Sequence, residues 1–144
     1  MASGTTMRGT VIANNAAISI GTGSTLEGRA LSTTGAVMID GVKSYTPIGC
    51  GSPYLTGPKA PVLASTACYA IFSSNGAISN SGLTQIKGDI GTNNGTASGF
   101  DSTMVIGKIH ATPDASTATC SQDLLKMYNY LNTLSYDIEL LYPA

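Results

Sequence analysis

A phrase of nineteen residues returns along this chain, and no other feature restricts its fold so tightly. Around Gly9 the sequence reads RGTVIANNAAISI, and nineteen residues later, around Gly28, it reads EGRALSTTGAVMI. Around Gly88 it reads KGDIGTNNGTASGF, and nineteen residues on, Gly107 opens IGKIHAT. Asn14-Asn15 falls over Thr33-Thr34, and Ser74-Asn75 over Asn93-Asn94. A fixed period near twenty residues is the mark of a solenoid, in which each repeat is one coil and neighbours share a core. The chain is therefore expected to be mainly β: β-solenoid coils with one packed α-helix.

Residues 5–41 form the first repetitive block. Ile18 and Ile20, then Val37 and Ile39, alternate with small or polar residues, as half-buried strands do. From 42 to 70 the pattern dissolves, and four of the six prolines (Pro47, Pro53, Pro58, Pro61) fall there. Proline removes ladder donors, so this stretch reads as a linker or a strap. Residues 71–112 form the second block, with Ile78, Ile86, Ile90 and Ile109 expected inward and Phe100 at a corner. A helix is expected over 120–134: Thr119-x-x-Gln122 has capping-box spacing, and Leu124, Tyr128 and Leu131 recur at helical intervals. The domain division expected is 1–41 solenoid coils, 42–70 Pro-rich linker and 71–144 coils plus helix.

Charged residues make up only 10% of the chain and the formal net charge is −1. The seven basic residues are scattered, which argues against nucleic acid as a partner. No apolar run approaches the roughly 20 residues of a membrane span, so no membrane insertion is expected. MASGTTMRGT has no apolar h-region, so no signal peptide is expected in this chain, yet the Thr, Ser, Asn and Gly composition reads as secreted.

With three cysteines (Cys50, Cys68, Cys120) and a single histidine, His110, a zinc site lacks ligands at short spacing, and neither metal nor other cofactor is expected. One structural disulfide or none is the economical reading. Cys68 and Cys120 flank the same structural unit and are the favoured pair over Cys50–Cys68. No catalytic constellation stands out, and the chain is expected not to be an enzyme. The nearest approach, the column Thr10, Arg29, Asp89 and Lys108, reads as exposed cross-coil pairing. His110 with Asp114 imitates a base and its orienting acid, but no nucleophile accompanies them.

FSSNGAISNSG and KGDIGTNNG, followed by Gly99-Phe100, resemble the opening of the microbial ice-binding (antifreeze) domain built as a discontinuous β-solenoid. RGTVIANNAAISI with LEGRALSTTGAV is similar to its closing coils, and DLLKMYNYLNTL with DIELLYPA to the segment after its opening coils. The order is inverted here. The chain thus resembles the end of one domain joined to the start of the next, with a permuted and truncated domain as the second account.

The resemblance implies adsorption to an ice crystal surface through a flat Thr/Ser/Asn-bearing face, and inhibition of ice growth and recrystallisation. Ice is neutral and regular, and stacked coils repeat equivalent residues about 4.7–4.9 Å apart. Thr suits such a face because its stiff χ1 holds a methyl and a hydroxyl in one orientation. The candidate ice-binding rows are Asn14 with Thr33, Ser19 with Met38, and Thr22 with Thr25, joined in the second block by Thr92, Asn93, Thr96 and Ser98. Exposed coil edges make self-association, or pairing with a neighbouring domain, a further expectation. The alternatives are an extracellular adhesion or structural β-solenoid repeat, and a polysaccharide-active solenoid enzyme.

Overall fold

A computed structural model of the chain describes residues 1–46 and 60–134. It is a β-solenoid of about five coils with one helix along its side. Every strand pairing is parallel, and three ladders enclose one core.

The first ladder uses the leading halves of β1 (Thr6–Ala13) and β3 (Thr25–Ser32), followed by β5 (Lys43–Tyr45), β8 (Gln85–Lys87) and β11 (Val105–Ile106). The second uses the trailing halves of β1 and β3, then β6 (Tyr69–Ser73), β9 (Asp89–Thr92) and β12 (Ile109–His110). The third stacks β2 (Ile18–Ile20), β4 (Val37–Asp40), β7 (Ile78–Ser81) and β10 (Ala97–Ser98). The helix, α1, spans Ala115–Thr133.

The two repetitive blocks stack directly on each other, β3 against β6 and β4 against β7. The third coil is composite: it begins with β5, leaves the stack, and returns at β6. Lys43–Tyr45 and the start of β6 lie within the stretch expected as a linker, and so does a short 3-10 turn at Ala64–Ala67. Residues 47–59, with Pro47, Pro53, Pro58 and Cys50, and the apolar end 135–144 lie outside the described residues.

The period-two pattern works because alternate strand residues point to opposite sides. Ile18, Ile20, Leu26, Ala30, Val37, Ile39, Ile71, Ile78, Ile86 and Ile90 meet in one buried core. Phe100 and Ile109 pack against it half-buried. The corners demand glycine. Gly28 has φ +154°, and a Cβ there would lie 1.8 Å from the carbonyl oxygen of Gly9 on the coil before. At Gly35 the same atom would stand 2.4 Å from the oxygen of Ala16. Nothing larger lets successive corners stack this closely.

The helix begins five residues before its expected start. Asp114 is the N-cap: its carboxylate accepts from the Thr117 amide at 2.9 Å, while the Thr117 hydroxyl accepts from the Asp114 amide at 2.8 Å. This reciprocal pair satisfies amides that the first turn cannot, so the cap lies here and not at Thr119. The buried stripe is accordingly Thr117, Cys120, Leu124 and Met127. Tyr128 is half-buried, and Leu131, expected to pack, is exposed.

Candidate functional site

The three ladders have different outer surfaces, and that difference defines the site. Outward residues of the second ladder include Leu31 and Phe72, and these with Tyr69 form a second apolar cluster under Cys120, Leu124 and Met127 of α1. Tyr69 and Phe72 meet edge to face at 5.0 Å, and the Tyr69 hydroxyl bonds Ser116 at 2.8 Å. Burial pushes the Tyr69 phenol up to about 12. This ladder is closed to any large partner by the helix.

The first ladder is open and carries charge. Its outer columns run Thr6, Thr25, Lys43, Gln85 and Arg8, Glu27, Tyr45, Lys87, Ile106. Arg8 and Glu27 pair at 2.7 Å.

The third ladder is open and nearly uncharged. Ile18, Val37, Ile78 and Ala97 point inward in register, and Ser19, Met38, Ser79 and Ser98 stand outward in one exposed column. Beside them, two positions earlier, Ala17, Ala36, Ala77 and Thr96 add further short side chains. Asp40 is the only charged residue on these four strands, and it accepts a 2.5 Å hydrogen bond from Thr22.

At the corner between the second and third ladders two rows run side by side. The inner row is Ser32, Ser73 and Thr92, all buried, each donating to a corner carbonyl of the preceding coil: Ala16 at 3.0 Å, Gly35 at 2.7 Å and Gly76 at 2.7 Å. These bonds lock successive corners to one another, because a buried hydroxyl without a partner is costly. In the outer row the Thr33 hydroxyl donates to Asn14 Oδ1 at 2.6 Å and accepts from the Asn15 amide at 3.2 Å. Asn94 Nδ2 donates to Asn75 Oδ1 at 2.8 Å. Such bonds fix the side chains at a repeating spacing.

The nine candidate residues therefore separate. Asn14 and Thr33 are stacked and bonded, Ser19 is paired with Met38, and Ser98 shares their column. Asn93 and Thr96 lie at the same corner in the fourth coil, half-buried and exposed respectively. Thr92 is a correction: the strand pleat turns it inward, fully buried, with its hydroxyl spent on Gly76. Thr22 and Thr25 do not form a row. Thr25 stacks on Thr6 and Lys43 in the first ladder, whereas Thr22 is held by Asp40 at the corner. Ser79, Asn75 and Asn94 complete the surface. Ser79 was legible as the serine after Ala77-Ile78, matching Ser98 after Thr96-Ala97, but the excursion inside the third coil hid the register.

Three other expectations change. The described thiols of Cys68 and Cys120 are free: Cys68 is exposed, whereas Cys120 is buried in the cluster beneath α1 and its thiol is pushed up by that burial. The disulfide expected between them is not formed. Arg29, expected in an exposed pairing column, is buried, with one guanidinium nitrogen donating to the Ala67 carbonyl at 2.9 Å. The 3-10 turn at Ala64–Ala67 supplies that carbonyl. His110, read as a surface residue, is buried beside Tyr69 with Nδ1 2.5 Å from Asp114 Oδ2. Asp114 lies below the usual carboxylate range, first because it accepts the Thr117 amide and then because of His110. The pair thus anchors the helix start.

The chain is similar over 99% of its length, at 57% identity, to a solved crystal structure of an ice binding protein from an Antarctic bacterium, Flavobacteriaceae, with a TM-score of 0.60. The likeness to this ice binding protein thus runs over nearly the whole of the chain. It spans 34% of that longer chain. No protein-family model and no curated protein matches it.

Proposed function

We propose that the chain adsorbs to ice through the third ladder and the corner beside it, and thereby inhibits ice growth and recrystallisation. One observation carries the reading: Ser19, Met38, Ser79 and Ser98 form an uncharged, exposed column on consecutive parallel coils, in a chain similar to a solved ice binding protein. Coil spacing of about 4.7–4.9 Å places small side chains on a repeating lattice. Hydroxyls and amides at that spacing anchor ordered waters, and the alanine column beside them limits competing hydration. Rigidity comes from beneath, through the branched inward residues and the buried Ser32–Ser73–Thr92 row.

Ser79→Lys places a solvated charge in the centre of this column. Crystals grown with purified parent should facet and recrystallise slowly, and those grown with the variant should lose most of that effect while the chain stays folded. Equal activity of the two would remove this face from consideration.

We further infer an extracellular, non-enzymatic role, in keeping with a surface built for a solid. Among the described residues no helix is long and apolar enough to cross a membrane. Stacking of the two blocks supports reading 1–134 as one solenoid unit, whether it arises at a junction of tandem domains or by permutation. The outer edge of β1, whose Met7 and Val11 are half-buried where Leu26 and Ala30 of β3 are fully buried, is where a neighbouring coil or second copy would pair.

A further inference from the structure

We propose that the first ladder carries a second binding site, for an acidic polysaccharide, independent of the proposed ice face. A shallow groove of about 470 Å³ on this ladder, within the size range of small-ligand sites, is lined by Lys43, Tyr45, Gln85, Lys87, Met104 and Ile106 among others. Among the described residues no carboxylate lines it.

The chemistry follows from the register. Tyr45 pairs directly with Lys87, and Lys43 with Gln85, so the two ammonium groups start from diagonal positions on adjacent strands, about 7–8 Å apart. Arg8 and Glu27, further along the same columns, neutralise each other. Lys43 and Lys87 have no ion-pair partner among the described residues. A chain of net charge −1 thus concentrates two free cations on one strip. Tyr45 is 38% exposed between them, offering a rigid ring with a polar tip. Ile106, 71% exposed, extends the apolar floor on the next coil.

A cation pair flanking an exposed ring matches a polymer that alternates apolar ring faces with carboxylates. The sugar's C–H face lies on Tyr45, Gln85 meets a hydroxyl, and the lysines meet successive acid groups. Nucleic acid is disfavoured because strong phosphate-driven binding uses on the order of 6–10 cationic contacts. The ladder's flatness also suits an extended chain crossing the coils, since its side chains rise in straight columns.

The test is titration of the full chain with hexagalacturonate, followed by calorimetry and by amide shifts. Maltohexaose serves as neutral control and a single-stranded oligonucleotide of equal charge as the rival polyanion. We expect saturable binding of the uronate with shifts at Lys43, Tyr45, Gln85 and Lys87, and none with maltohexaose. The Lys43→Gln/Lys87→Gln double variant should weaken it roughly tenfold, as loss of two solvent-screened charge contacts would. Tyr45→Ala should weaken the uronate but not the oligonucleotide. Ice shaping by both variants should equal the parent's, and circular dichroism should confirm their fold. Absence of uronate binding, an unaffected double variant, or a Tyr45→Ala effect identical for both polyanions would each overturn the proposal.

Discussion

The second and third ladders belong to the same coils and both turn apolar residues inward, yet one is covered and the other open. The difference lies only in what points outward. Leu31 and Phe72 require cover, and α1 supplies it with Cys120, Leu124 and Met127. Ser19, Ser79 and Ser98 need none and leave the third ladder bare. Parallel stacking fixes the geometry of both, so a single outward column decides whether a face becomes core or is left for a partner.

The strongest way to break this contrast is to remove what holds the helix to the second ladder. Phe72→Ala empties a fully buried site under α1 and should cost about 3–5 kcal/mol in denaturant unfolding. It should also turn the covered face into an exposed apolar patch, detected as increased binding of a hydrophobic dye. An unchanged unfolding midpoint would mean that the helix is not docked there.

Thr92→Val sharpens the boundary between core and surface at the shared corner. It preserves shape but leaves the Gly76 carbonyl without its donor, with an expected loss of about 1–3 kcal/mol. Ice shaping, measured in the cold where the variant is folded, should not change, because the residue is fully buried. Reduced ice activity in a folded Thr92→Val chain would reinstate that residue as part of the site.

Acid should loosen the covered ladder before the open one. The folded-state value of Asp114 is depressed, so its contribution is complete above the unfolded carboxylate value of about 3.9 and is lost as pH falls through the lower folded value. Asp114→Asn should therefore be less stable than the parent near neutral pH, with the two curves converging below about pH 4. Thermal melts across that range check it; a constant gap would assign the difference to something other than this carboxylate.

The smallest effect on stability is expected on the open face. Met38, 45% exposed, is the long side chain in a column otherwise made of serines. Met38→Thr should change unfolding free energy by no more than about 0.5 kcal/mol. Slower recrystallisation by this variant than by the parent is the expected readout, since a branched hydroxyl residue evens the row. Faster recrystallisation would show that Met38 itself contributes to contact.

The coil follows from local residue spacing alone. The nineteen-residue period, the period-two apolar residues and the corner glycines are local properties, and they specify a parallel stack whose equivalent positions can be counted off, as Asn14 over Thr33 and Ser19 over Met38 show. The family resemblance was legible too, and the chain is 57% identical over 99% of its length to a solved ice binding protein. Which side of each coil stays open depends instead on contacts between segments far apart in the chain. Thr92 and Thr96 are both threonines at the two ends of the Asn93-Asn94-Gly95 turn, but one is buried and the other exposed. Arg29 reads as a surface charge until the Ala67 carbonyl comes over it, thirty-eight residues away in sequence. Helix placement was likewise hidden, because Asp114 caps through a reciprocal bond with Thr117 and His110 ties that cap to the sheet. Register is written in short-range spacing, whereas burial depends on which distant segment settles on which face, and one strand's sequence carries no record of that.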